Sequence, residues 1–144
     1  MPGFQKGEML NAIGYIIVTS CSYLTPDRKL IMRSEAAFEL QRKVPEIDQE
    51  FGNMVFDKCK HLGRYGLLLW LKYGVLQVQY RWDEKARLDL IEFSLGKLAG
   101  LAKKCPRDWF NVNFPGIGEG GLNKVDVLPL LNVLPKNVYV WEKE

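Results

Sequence analysis

Alternating strand-type and helix-type segments predict an α/β domain with helices layered on one sheet. Three observations carry that expectation: a continuous apolar, β-branched run at residues 12–20, one apolar stripe at helical spacing over residues 88–101, and a strand-type run at 109–114 that ends in a glycine-rich turn.

The first run, Ala12-Ile13-Gly14-Tyr15-Ile16-Ile17-Val18-Thr19-Ser20, has no polar alternation, so it suits a central strand covered on both faces. Turn chemistry follows at Thr25-Pro26-Asp27-Arg28-Lys29, and Ser34 is placed to cap a helix carrying Ala37, Phe38 and Leu40 up to a break near Pro45. A second helix is expected from Ile47 on the spacing of Phe51, Met54, Val55 and Phe56. Leu67 to Leu71 and Val75 to Arg81, separated by Lys72-Tyr73-Gly74, read as a hairpin whose second strand has one wetter face.

From Asp83 to Lys103, the positions Leu88, Ile91, Leu95, Leu98 and Leu101 share one helical stripe, with Asp83 placed to cap its start and Lys103-Lys104 at its end. Trp109 to Phe114 forms the next strand, followed by the glycine turn and a short helix with Val127, Leu128, Leu130 and Leu131. A last strand spans Asn137 to Trp141.

The 144 residues suit one domain, 1–144, able to bury a core without staples. No segment approaches the roughly 18 consecutive apolar residues of a membrane span. The start, Met1-Pro2-Gly3-Phe4-Gln5-Lys6-Gly7-Glu8, lacks a basic stretch followed by an apolar run, which predicts no targeting peptide and a cytoplasmic site of action. Cys21, Cys59 and Cys105 are odd in number and widely spaced, so reduced thiols are expected and no metal site. The single histidine, His61, reads as a solvated residue at a helix end. The net charge of +3 is dispersed among interleaved acids and bases, so no nucleic-acid stripe is indicated.

The turn Pro115-Gly116-Ile117-Gly118-Glu119-Gly120-Gly121 is the main candidate for ligand chemistry. A turn leaving a strand and opening a helix lies where α/β sheets bind ligands, and absent side chains let backbone amides approach an anion such as a diphosphate. A strained turn would demand the same glycines, and Glu119 would repel a phosphate. Gly116-x-Gly118-x-x-Gly121 also fits the dinucleotide fingerprint. That motif opens a βαβ unit, however, whereas here one strand remains. Two further features have plainer readings: Asp83-Glu84 as a helix cap rather than an acid/base pair, and Trp70, Tyr73, Tyr80 and Trp82 as packing rather than a base-stacking surface.

Four stretches together resemble the macro-domain superfamily, α/β modules that bind ADP-ribose and in some branches hydrolyse ADP-ribosyl linkages. Lys6-Gly7-Glu8-Met9-Leu10 resembles a Lys-Gly-Asp-Ile motif, which implies that Glu8 contacts adenine beside Met9. Ile16 to Cys21 resembles the buried strand ending in a ribose-facing Asn, implying that Ser20 and Cys21 stand at the ribose. Leu30 to Ala37, with Pro45, resembles a phage- and bacteria-type first phosphate loop, with Met32, Arg33 and Ser34 at the ligand. Asn113 to Leu122 resembles the second phosphate loop of the terminal ADP-ribose glycohydrolase and antitoxin branch, bringing in Gly116, Ile117, Gly118, Glu119, Gly120, Gly121 and Leu122.

The resemblance implies a three-layer macro-like fold with a mixed sheet, and ADP-ribose or a related nucleotide diphosphate as ligand, with no separate cofactor. Departures from the family pattern bear on activity. Arg33 and Glu35 stand where glycines are expected, and Cys21 replaces the Asn. Gln79 and Gly121 or Leu122 stand where that branch carries Lys and Asp. Gln79 cannot form a Schiff base, and neither Gly121 nor Leu122 can act as an acid or base, so hydrolysis is not expected and no catalytic residue is assigned. The alternative is a non-catalytic, phage- or prophage-type interaction protein that keeps the fold without the ligand.

Overall fold

In the computed structural model, which describes residues 1–144, six strands form one mixed sheet. These are β1 (Gly3–Lys6), β2 (Tyr15–Ser20), β3 (Leu67–Trp70), β4 (Tyr73–Gln77), β5 (Phe110–Asn113) and β6 (Val138–Glu142). Their order is β1-β6-β5-β2-β4-β3. Only the β3–β4 hairpin is antiparallel; all other neighbours run parallel. The expected helices appear as α1 (Glu35–Lys43), α2 (Ile47–Cys59), α3 (Leu88–Lys104) and the short α4 (Lys124–Val127), which continues into a 3-10 turn at Leu128–Val133.

The apolar run in β2 is explained by burial on both faces. Ile16 and Val18 face a cluster with Leu40, Ile47 and Phe51 of α1 and α2, while Ile17 faces Ile91, Leu95 and Leu98 of α3. Successive strand side chains alternate between faces, so a strand sandwiched between helix layers carries apolar residues on both faces. The result is the expected three-layer α/β arrangement with a mixed sheet. No helix is long and apolar enough to cross a membrane.

Several local expectations are corrected. β2 starts at Tyr15, because Gly14 bends the chain at φ +106° and Ile13 is left exposed. The second hairpin strand has no wet face: Gln77 is fully buried, its Oε1 accepting from the Tyr65 and Gly66 amides and its Nε2 donating to the Gly63 carbonyl. Alternation there marks a satisfied polar group within the core. Asp83 does not cap α3, which begins at Leu88; it forms a two-point ion pair with Arg81 instead. Phe38 lies on the half-exposed side of α1 while Ala37 and Leu40 are buried. His61 is exposed as expected, and its Nδ1 also accepts from the Leu24 amide. β1 was not anticipated from the sequence. It is mostly exposed and forms the sheet edge, pairing with β6 from Gly3↔Tyr139 to Lys6↔Glu142.

Candidate functional site

The topology places a crevice between β2 and β5. After β2 the chain builds β4 on one side, and after α3 it crosses to build β5 on the other, so connections leave these neighbours in opposite directions. Ligands of open α/β sheets bind at the strand carboxyl ends of such a reversal. The β2–β5 register runs from Tyr15↔Phe110 to Ile17↔Val112 and then opens. Beyond it the Thr19 amide donates to Asn113 Oδ1 (2.9 Å), and Asn113 Nδ2 donates to Thr19 Oγ1 (2.9 Å). A side chain thus takes over from the ladder and forms part of the cleft floor.

One wall is the segment entering α1. Ser34 caps the helix, its Oγ accepting from the Ala37 amide (3.2 Å) and donating to the Thr19 carbonyl (2.8 Å). That second bond ties the helix start to the end of β2. The Phe38 amide is taken by the Ser34 carbonyl, whereas the amides of Glu35 and Ala36 have no partner within the protein. Both residues line the crevice, so two donors at the positive end of a helix border it.

The opposite wall is the glycine turn, where the expected helix opening is corrected. A single 3-10 turn, Gly118–Gly120, ends at Gly121 in the left-handed region, and α4 starts only at Lys124. Helix amides therefore do not point into the cleft from this side. The glycines also divide by role. A side chain at Gly116 would stand 2.7 Å from Ile91 Cδ1 and 2.8 Å from Leu122 Cδ1, so this position is empty to let the turn close on α3. Gly118, at φ +66°, faces open space. Gly120 is buried against Ala86 and accepts that residue's amide, and Gly121 lies beside Lys85.

Between these walls lies a cavity of about 1030 Å³. Of the residues anticipated from the sequence, it brings together Glu8, Met9, Met32, Arg33, Ser34, Ile117, Gly118 and Glu119. Ser20, Cys21, Gly116, Gly120, Gly121 and Leu122 are not part of the lining. Ser20 Oγ and Cys21 Sγ both donate to the Ile31 carbonyl, which directs them at the loop backbone. Burial pushes the Cys21 thiol up to about 11. Gln79 is buried and donates to the Glu84 carbonyl, holding the β4–α3 connection rather than the cavity.

Sequence reasoning missed Thr19, Asn113, Phe38, Trp141 and Lys143 as lining residues. Asn113, directly before the Phe114-Pro115-Gly116 turn, was the one most open to detection. Lys143 gave no signal, because its role depends on distant partners. Its ammonium lies 3.3 Å from Glu35, 3.8 Å from Glu8 and in direct contact with Glu39. The hydrogen bond to Glu39, with Glu35 adding to it, holds the Lys143 ammonium above the ordinary lysine range. The lining as a whole is acidic: Glu8, Glu35, Glu39, Asp48, Glu119 and Glu142, the last paired with Lys124 outside the lining, outnumber Lys29, Arg33 and Lys143.

No protein-family model and no curated protein matches the sequence. Solved structures do. The macrodomain of Thermus aquaticus DarG aligns with a TM-score of 0.72 at 19% identity, covering 100% of this chain and 98% of that one. Thermosipho africanus DarTG, solved in complex with ADP-ribose, aligns with a TM-score of 0.74 at 17% identity over 96% of this chain and 40% of its own. The macrodomain of Mycobacterium tuberculosis DarG gives 0.69 at 14% identity, covering 100% and 99%. At such identities the likeness is one of fold: with its six-stranded mixed sheet between helices, this chain has the macrodomain fold.

Proposed function

We propose that the crevice binds ADP-ribose or a related nucleotide diphosphate, and that the chain is a binding module without hydrolase chemistry. The observation that supports this most is the open cavity at the β2–β5 reversal, in the fold of a protein solved with ADP-ribose. The diphosphate would lie between the Glu35 and Ala36 amides and the turn at Gly118, where a Cβ would meet nothing within 4 Å. Glu8 and Met9, beside the α1 wall, would receive the adenine. The buried positions Ser20, Cys21, Gly116 and Gly120 would shape the site from behind, while Gly121 and Leu122 would complete the turn. Gln79 lacks the chemistry of a lysine and is engaged with Glu84, which supports a site that binds without turnover.

An interaction protein that has lost its ligand would be favoured by a crevice filled with the Arg33 or Glu35 side chain. Arg33 and Glu35 instead line a cavity that stays open at about 1030 Å³, the first lying against Trp82 and the second paired with Lys143. A cytoplasmic setting accompanies the binding reading, since three unpaired thiols stay reduced there. Calorimetric titration with ADP-ribose, ADP and NAD tests the proposal. Saturable binding of ADP-ribose is expected, and absence of heat with all three would transfer the case to the interaction protein.

A further inference from the structure

We infer that Arg33 neutralises the diphosphate of the bound nucleotide, a role that rests on the binding reading above. In an acidic cavity a dianionic group needs a cation not already committed to a carboxylate. Lys143 is held by Glu8, Glu35 and Glu39, and Lys29 lies 3.8 Å from Asp27. Arg33, the third lining cation, makes no ion pair and no hydrogen bond. Its only partner is the face of half-exposed Trp82, 4.7 Å from the guanidinium carbon.

A π face attracts the charge but takes up none of the in-plane N–H donors, so all five remain available. Arg33 is also followed by Ser34, whose links to Thr19 and Ala37 fix the backbone from which the side chain projects. It stands one residue before the cap of α1, next to the free Glu35 and Ala36 amides. The arginine that occupies a position where the resembling family has glycine thereby contributes charge and a planar fork suited to two phosphate oxygens. It offsets the repulsion from Glu35 and Glu119, which would otherwise weigh against an anion in this cavity.

The test is calorimetric titration of the parent protein, Arg33→Gln and Arg33→Lys with ADP-ribose at low and high salt, with thermal unfolding to confirm that each is folded. Arg33→Gln is expected to weaken binding by about tenfold or more and to flatten its salt dependence. Arg33→Lys should recover the salt dependence and part of the affinity, because it restores the charge without the fork. Unchanged affinity in Arg33→Gln overturns the inference while leaving the nucleotide reading standing. A loss of affinity with unaltered salt dependence also overturns it, since Arg33 would then act through loop shape. A parent protein that binds no ADP-ribose overturns the nucleotide reading and this inference together.

Discussion

Thr19 and Asn113 exchange two hydrogen bonds where β2 and β5 part, the Thr19 amide donating to Asn113 Oδ1 and Asn113 Nδ2 donating to Thr19 Oγ1, each at 2.9 Å. This pairing satisfies a buried strand amide without closing the cleft. Replacing Asn113 by Leu leaves that amide without its partner, which costs about 1–3 kcal/mol. The expected outcome is a lower denaturation midpoint together with weaker ADP-ribose binding. A midpoint equal to the parent's would show that the two strands do not depend on this side chain.

Gly116 and Gly118 separate packing from binding. Gly116→Val drives a branched side chain into Ile91 and Leu122, and both substitutions place a β-branched residue at positive φ, costing about 1–3 kcal/mol in backbone strain. Only Gly118 has open space beyond it, so Gly118→Val should remain folded and lose ADP-ribose affinity. Gly116→Val should suffer the larger drop in melting temperature, from strain and clash together. Equal affinity of Gly118→Val and the parent would move the ligand away from this turn.

Gly96 and Gly100 lie within α3, and a methyl group at either would meet nothing within 4 Å. Neither carries positive φ, so alanine fits the existing backbone and reduces the freedom of the unfolded chain. Each of Gly96→Ala and Gly100→Ala should stabilise the fold by about 0.5–1 kcal/mol, measured by urea unfolding, with ADP-ribose affinity unchanged. A destabilised variant would mean that this helix face is covered in solution.

Cys21 is buried and its thiol is pushed up to about 11 by desolvation, from an ordinary value of 9.0. Burial also raises the hydroxyl of Tyr65, which donates to the Cys21 carbonyl at 2.7 Å. A group whose folded-state value is raised favours the protonated folded form. The stability it contributes is therefore intact below pH 9.0 and is lost as pH rises toward about 11. Unfolding followed across this window should show falling stability, less steep in Cys21→Ala. At neutral pH a thiol reagent should modify Cys59 and Cys105 first and reach Cys21 only on unfolding. Early modification of Cys21 in the folded protein would contradict its burial.

Much of the fold was legible because its signals are local. The β2 run reports burial on both faces, and the stripe through Ile91, Leu95 and Leu98 reports one buried helical face. Where the signal was not local, the reading failed. β1 has a mostly exposed, polar sequence and exists as a strand because β6 lends it backbone partners. The polar Gln77 could be placed in the core only once the Gly63, Tyr65 and Gly66 backbone groups that satisfy it were known.

For the site, the sequence by itself determined the two loops that wall the crevice, because glycines, a helix cap and their neighbours in the chain are consecutive residues. Tertiary structure alone decided which of those residues face the cavity. Gly116 and Gly118 are indistinguishable in sequence, yet one lies against Ile91 and the other faces open space. It also decided the charge balance, since Lys143 is committed by Glu8, Glu35 and Glu39 whereas Arg33 is left to Trp82. The physical reason is that hydrophobic periodicity and backbone preference act over a few residues, whereas side-chain pairing at a cleft depends on contacts between segments more than a hundred residues apart, such as Lys143 and Glu39.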